Sequence, residues 1–301
     1  MITDLQKLSH QISLGLHTKF LRDFQDFPLL VSKSFVSRIK PHDINDPLLL
    51  QILPQKCEYK NIPGYTFDPL REKKYSPLSG LIHKYYGRVL LLVTNRCAIN
   101  CRFCFRRYLR EEVIDWSQVF SYIRRDFTIS EVILSGGDPL MLAAKELREI
   151  IDNLSNISHV KKIRIHSRIP IVMPERIGSG LFNSQSPLIL VIHCNHPNEI
   201  NLAVKKALNV IRKKNVTIFN QSVLLRNIND DAKILIALSE KLFASGVIPY
   251  YLHIMDKVKG ATHFYVGIKR AKEVYREMQK KLSGYLVPKL VLEVKGRKKY
   301  L

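Results

Sequence analysis

The sequence predicts an α/β fold: a partial (β/α)6 TIM-like barrel with an N-terminal helical extension and a short C-terminal tail. Three observations carry this expectation. From Arg88 onward, six short β-branched or aliphatic runs alternate with stretches of helical periodicity. Six strand–helix units imply a parallel sheet and are too few for a closed eightfold barrel. The polar motifs fall just after those runs, at the end of the sheet where such folds build their sites.

Residues 1–80 read as helices and loops broken by prolines at 28, 41, 47, 54, 63, 69 and 77, and form the extension. The barrel occupies residues 81–285, and 286–301 form the tail. The expected strands are RVLLLVT from Arg88, EVIL from Glu131, KIRIHS from Lys162, LILVIH from Leu188, VTIFN from Val216 and IPYYLHI from Ile248. Amphipathic helices are expected near Trp116–Arg125, Lys145–Leu154, Asn198–Lys213 and Asp230–Ser245. The last has N-cap candidates in Asn229 and Asp230 and stops at Gly246.

With 301 residues and 46% hydrophobic composition, the chain can bury a sizeable core. The N-terminus lacks an apolar run of signal-peptide length, and the longest apolar strings have strand length, so a soluble cytoplasmic protein without membrane contact is expected. The net charge of +22 invites a nucleic-acid reading. However, the cations are spread over exposed helix faces such as AVKKALNVIRKKN without interleaved aromatic residues, which describes a solvated lysine-rich surface. Nucleic acid is therefore not the expected partner, although an acidic protein stays open.

Five cysteines, three of them clustered, make poor arithmetic for a disulfide framework. Cys97, Cys101 and Cys104 form CxxxCxxC after the first expected strand. Structural zinc takes four ligands, commonly as two separated pairs, and no second pair follows. An iron–sulfur cube bound by three thiolates keeps one iron open for another ligand. Cys57 and Cys194 read as small buried hydrophobes, with Cys194 as an alternative fourth ligand.

This motif resembles that of the radical S-adenosylmethionine enzymes, in which S-adenosylmethionine chelates the open iron of a 4Fe-4S cluster. The resemblance implies a barrel of the radical S-adenosylmethionine type. It also implies that Gly136, Gly137 and Asp138, in LSGGDPL after the second strand, contact the methionine moiety. The segments HKYYGRVLLLVTNRC, HSRIPIVMPERI, HCNHPNEI, NQSVLLRNIND and PYYLHIMDKVKGATHF are similar, in order and spacing, to the lysine 2,3-aminomutases. DPLLLQILP and FDPLREKKYSPLSGLIHKYYGR look like the shorter branch of that family, which makes (R)-β-lysine for modification of elongation factor P.

The resemblance implies an isomerase acting on free L-lysine held through its α-amino group on pyridoxal 5'-phosphate. A deoxyadenosyl radical removes a β-hydrogen and the nitrogen moves from α to β; a reductant such as flavodoxin supplies the electron. It links the enzyme functionally to elongation factor P and its lysine ligase. By position, Arg88, with Lys84 and Tyr85, matches the phosphate contacts, and Arg106 the arginine that pairs with the substrate carboxylate. Arg107 reads as an outer or surface charge. Asp256 and Glu293 match the carboxylates that take the distal ammonium of lysine. His193, His196, Asn220 and Gln221 sit on strand ends and are candidates to line the cofactor pocket. The cofactor-binding lysine lies in the family's tail, and in VPKLVLEVKGRKKYL the best match is Lys299, then Lys298, then Lys295, with Lys289 too early. Two alternatives stay open: a radical S-adenosylmethionine enzyme without pyridoxal phosphate, and a basic nucleic-acid-binding protein with structural zinc.

Overall fold

The computed structural model describes residues 1–14, 27–108, 113–178, 180, 182, 187–294 and 297–301, with the side chains of 297 and 298 left out. Nine strands lie side by side in chain order: β1 Leu81–Tyr85, β2 Arg88–Thr94, β3 Glu131–Gly136, β4 Lys162–Ser167, β5 Leu188–His193, β6 Thr217–Leu224, β7 Ile248–Ile254, β8 Lys289–Val294 and β9 Arg297–Tyr300. From β2 to β8 all pairings are parallel, while β1 and β9 close the edges as antiparallel strands. The first and last strands do not pair, so the sheet is a partial barrel, as expected.

The six expected strands are β2 to β7. The three further strands have weaker patterns: LIHKY and RKKY are short and carry few aliphatic residues, and KLVLEV falls within the expected tail. The long helices are α4 Trp116–Arg125, α5 Ala144–Ser155, α7 Leu202–Arg212, α8 Ala232–Phe243 and α9 Ile268–Lys281. Short helices α1 Leu5–Gln11, α2 Lys33–Val36 and α3 Pro47–Leu50 build the extension, and α6 Ile169–Val172 follows β4.

Two helix starts differ from expectation. The helix expected from Asn198 opens instead as a 3-10 turn, Pro197–Glu199, before Asn201 caps α7 by accepting from Val204 N. α8 is capped by Asp231, whose carboxylate accepts from Lys233 N. Asn229 is buried instead, tying Leu225 N to Asn195 O.

One core runs through the molecule. Leu8, Leu48, Leu49 and Ile52 of the extension bury in the same cluster as Leu91, Val132, Ile163 and Leu190 of the sheet. Each such side chain contributes about 1.5–3 kcal/mol through burial. A smaller cluster of Phe103, Leu225, Ile228, Met255, Val258, Ala261 and Phe264 joins the cysteine loop to the exits of β6 and β7. Leu50 and Tyr65 of the extension pack on this second cluster as well.

Candidate active site

A cavity of about 750 Å³ is lined by the C-terminal ends of the parallel strands and reaches back along β2 to its first residue, Arg88; its size is within the usual range for small-molecule sites. Cys97, Cys101 and Cys104 line it, with Gly136, Gly137, Asp138, Arg88, Lys84, Tyr85, Arg106, His193, Gln221, Asp256 and Glu293. These residues come from positions 84 to 293 of the chain, and the sheet order brings them together.

The loop after β2 is held on its inner side by an ion cluster. Arg102 donates to both oxygens of Glu58, at 3.0 and 2.6 Å, and Arg107 Nη2 reaches Glu58 Oε2 at 2.7 Å. Arg107 is thus buried and is no surface charge; of its two expected places it takes the outer one, drawn inward by Glu58 of the extension. Burial pushes all three cluster-loop thiols upward, Cys104 to about 11. Among the described residues no three His, Cys, Asp or Glu side chains converge on one metal-ion position. A four-iron cube spreads its thiolates over separate irons, and the three cysteines that line this one cavity are thiols of the kind it takes.

Gly136 has φ +119°, and a Cβ on it would stand 2.4 Å from Thr94 O; one on Gly137 would stand 2.4 Å from Arg96 O. Gly137 N and Asp138 N instead donate to those two carbonyls at 2.6 and 2.8 Å, so this turn docks directly onto the cysteine loop. The Asp138 carboxylate faces inward, accepting from Leu140 N, Ser167 Oγ, Arg168 N and Ile169 N. Burial pushes its pKa up to about 6 even against these donors. It orders the exit of β4.

The cations in the cavity differ in what holds them. Arg106 donates bidentately to Glu72 at 2.9 and 2.6 Å and to Ser135 Oγ at 2.9 Å. These bonds engage three of its five N–H donors. Lys84 Nζ lies 2.7 Å from Glu293, whose two oxygens also accept from Tyr85 Oη at 2.8 and 3.0 Å. Burial and this carboxylate push the Tyr85 phenol well up, so it stays protonated. Arg88 lies over the Tyr85 ring at 4.7 Å and has no carboxylate partner among the described residues. It is therefore the cavity cation best suited to a phosphate.

His193 is neutral: burial, then Arg168, pulls its pKa down to about 3, and Nε2 contacts Asn195 Oδ1 at 3.2 Å. His196 and Asn220 do not line the cavity. His196 Nδ1 accepts from Asn198 N, while Asn220 bonds the backbone of Cys194. Cys194 is buried beside His196 O and Cys57 lies by Gln55, both apart from the other three cysteines.

In the tail, Lys299 is exposed, in register with Leu292, and does not line the cavity. Lys298 takes the register position opposite Glu293; its side chain, like all of Lys295, lies outside the described residues. Tyr300 does line the cavity, its hydroxyl 3.3 Å from that of Tyr251.

Sequence reasoning missed Glu58, Glu72, Ser135, Arg168, Glu199 and Tyr251. Partners far away along the chain fix most of them, 34 positions for Glu72 and Arg106, 44 for Glu58 and Arg102 and 117 for Arg168 and Gln51, and no local pattern announces those ties.

No family model matches the chain. The L-lysine 2,3-aminomutase of Buchnera aphidicola subsp. Baizongia pistaciae is 47% identical, over 98% of this chain and 91% of that protein. The chain belongs to the L-lysine 2,3-aminomutase family. The Escherichia coli enzyme of that name is 42% identical over 98% of this chain and 90% of its own length. For the Clostridium subterminale enzyme the figures are 36%, 89% and 67%. A radical SAM methyltransferase from Sphaerobacter thermophilus shares the fold, with a TM-score of 0.52 over 72% of this chain and 69% of that chain at 13% identity. Membership of this aminomutase family fits the three-cysteine cavity, and the fold is the partial barrel of the radical SAM type. Among the described residues no helix is long and apolar enough to cross a membrane.

Proposed function

We propose that the chain is an L-lysine 2,3-aminomutase that converts (S)-α-lysine to (R)-β-lysine, using a 4Fe-4S cluster, S-adenosylmethionine and pyridoxal phosphate. The observation that carries this reading is one cavity shared by three thiols, an arginine with no carboxylate partner among the described residues, and the carboxylates of Asp256 and Glu293. The β-lysine is proposed to serve the modification of elongation factor P through its lysine ligase, with the electron coming from a donor such as flavodoxin.

When bound, the cluster with S-adenosylmethionine supplies radical chemistry, and pyridoxal phosphate supplies an electron sink. The chain's own residues bind and orient. Cys97, Cys101 and Cys104 would hold the cluster, with Gly136, Gly137 and Asp138 shaping the neighbouring surface. Arg88 would hold the phosphate as a fixed cation. Arg106 retains two N–H donors for a substrate carboxylate after Glu72 and Ser135 take three. Asp256 and Glu293 offer negative charge for the distal ammonium. Glu293 is shared with Lys84 and Tyr85. For the lysine that carries the cofactor, the register opposite Glu293 favours Lys298 over exposed Lys299.

The test incubates reduced, reconstituted protein with S-adenosylmethionine, pyridoxal phosphate and L-lysine, followed by chiral amino-acid analysis. (R)-β-Lysine is the expected product; its absence with an intact cluster overturns the reading. Unmodified and α-lysylated elongation factor P, added as competitors, report whether free lysine is the substrate.

A second reading, a radical enzyme without pyridoxal phosphate, is favoured by the exposure of Lys299 and by Glu293 occupying Lys84 and Tyr85. A visible absorption band lost on borohydride treatment, mapped to a tail lysine, excludes it. Failure of cluster-loaded protein to take up the cofactor establishes it.

A further inference from the structure

Arg168 follows the last residue of β4 and is almost wholly withdrawn from water. Its backbone is clamped by Asp138, which accepts from Arg168 N at 2.7 Å and Ile169 N at 3.1 Å. Its guanidinium lies between two phenyl rings, Phe35 and Phe103, each 5.6 Å away. Nη2 is shared by Gln51 Oε1 at 2.6 Å and Glu199 Oε2 at 2.9 Å. Nη1 reaches Cys101 Sγ at 2.7 Å. Glu199 is itself fixed, accepting from Asn195 N at 2.9 Å, His196 N at 3.0 Å and Gln51 Nε2 at 3.2 Å. Among the described residues, Cys101 is the one thiol of the three that receives a side-chain N–H.

We infer that Arg168 is a positioning residue that sets the reduction potential of the cluster, through its N–H donation to Cys101 Sγ and a charge balanced by Glu199. The inference rests on the reading of Cys97, Cys101 and Cys104 as cluster ligands. Hydrogen bonds to the sulfurs and local net charge are two of the levers on such potentials. Reduction adds one electron, so a cation against a ligand sulfur stabilises the reduced form and raises the potential. Glu199 lies one group further from the sulfur and subtracts part of that field. The arrangement therefore predicts shifts of opposite sign when either charge is removed. A purely structural role would not produce that pattern, since loosening the network from either side disturbs the same contacts.

The test uses the full chain, reconstituted anaerobically as wild type, Arg168→Gln and Glu199→Gln. Each is titrated with dithionite at controlled potential while electron paramagnetic resonance follows the reduced cluster. At a fixed potential the ratio of reduced to oxidised cluster should fall about tenfold in Arg168→Gln, a shift of about 59 mV for one electron. In Glu199→Gln the ratio should rise severalfold. Potentials unchanged in both variants, or moved in the same direction, overturn the inference. If Arg168→Gln does not retain its cluster, Arg168→Lys keeps the charge but loses the planar fork. It should show a smaller fall, and no fall overturns the inference. Iron and sulfide analysis of the wild type separates the two ideas. A wild type that assembles no cluster refutes the ligand reading and the inference with it, whereas an intact cluster with unmoved potentials refutes the inference alone.

Discussion

The wall of the cavity built by β2 to β5 and the wall built by β7 to β9 hold their polar groups by different means. On the first, Arg102 and Arg107 converge on Glu58, and Arg168 on Glu199, in ion pairs withdrawn from water. On the second, Tyr250, Tyr251 and Tyr300 meet through their hydroxyls, and Glu293 keeps some exposure while it binds Lys84 and Tyr85. Around the cysteine loop the first wall is over-determined: the guanidinium groups of Arg102, Arg107 and Arg168 are each fixed by a carboxylate from another element. The second ends in an edge strand paired on one side. A wall that must hold a cluster in one place has reason for the first design. A wall that must admit and release an amino acid tolerates the second.

Replacing any one of Cys97, Cys101 or Cys104 by alanine is the strongest break in the first wall. Iron content should collapse and aminomutase turnover should vanish, while circular dichroism keeps the native helix signal. Retained activity in any of the three refutes their assignment.

The buried ion clusters come next. Glu58→Gln leaves Arg102 and Arg107 buried without their counter-charge, and removing one partner of such a set costs about 3–5 kcal/mol. On the second wall, Glu293→Gln keeps a hydrogen-bond acceptor for Tyr85 and loses only the Lys84 pair, so a smaller loss than at Glu58, which serves two buried guanidinium groups, is expected. Urea unfolding of the two variants tests the contrast directly. Equal losses would mean that the walls are held alike. Glu293→Gln should also weaken lysine binding if Glu293 meets the distal ammonium, an effect read in KM.

The two walls also differ in how far they can be read from the sequence. CAINCRFC and SGGDP lie within short stretches, because a loop that wraps a cluster and a turn that docks on it are local events. The strands that carry them are apolar runs, β3 buried almost throughout and β2 alternating buried with half-buried positions, so the parallel sheet is legible as well. The ties beneath the loop are not legible. Glu58 meets Arg102 across 44 positions and Gln51 meets Arg168 across 117, and each alone resembles an ordinary polar residue in a proline-broken region. The tail fails for another reason: LEVKGRKKYL has no apolar alternation to announce a hairpin, so the register that pairs Leu292 with Lys299 and Glu293 with Lys298 emerges only from the backbone.

The smallest expected effect sharpens the comparison outside the cavity lining, near the Glu58 cluster. His263 packs against Phe264, and neither ring nitrogen has a hydrogen-bond partner among the described residues. Burial pulls its pKa down to about 4 from an ordinary value near 6.5. Between those pH values the unfolded chain binds a proton that the folded chain refuses, so stability falls as pH falls through that window. His193 adds a loss of the same sign and is common to any variant at position 263. His263→Phe removes a titrating ring without breaking a hydrogen bond and keeps the stack on Phe264. At pH 7 it should be neutral or slightly stabilising. At pH 5 it should exceed the wild type by roughly 1 kcal/mol, since one pKa unit is worth 1.36 kcal/mol and the ring is partly exposed. Urea midpoints at the two pH values measure the difference. Parallel pH slopes for the two proteins would mean that His263 is protonated in the fold and has found an acceptor.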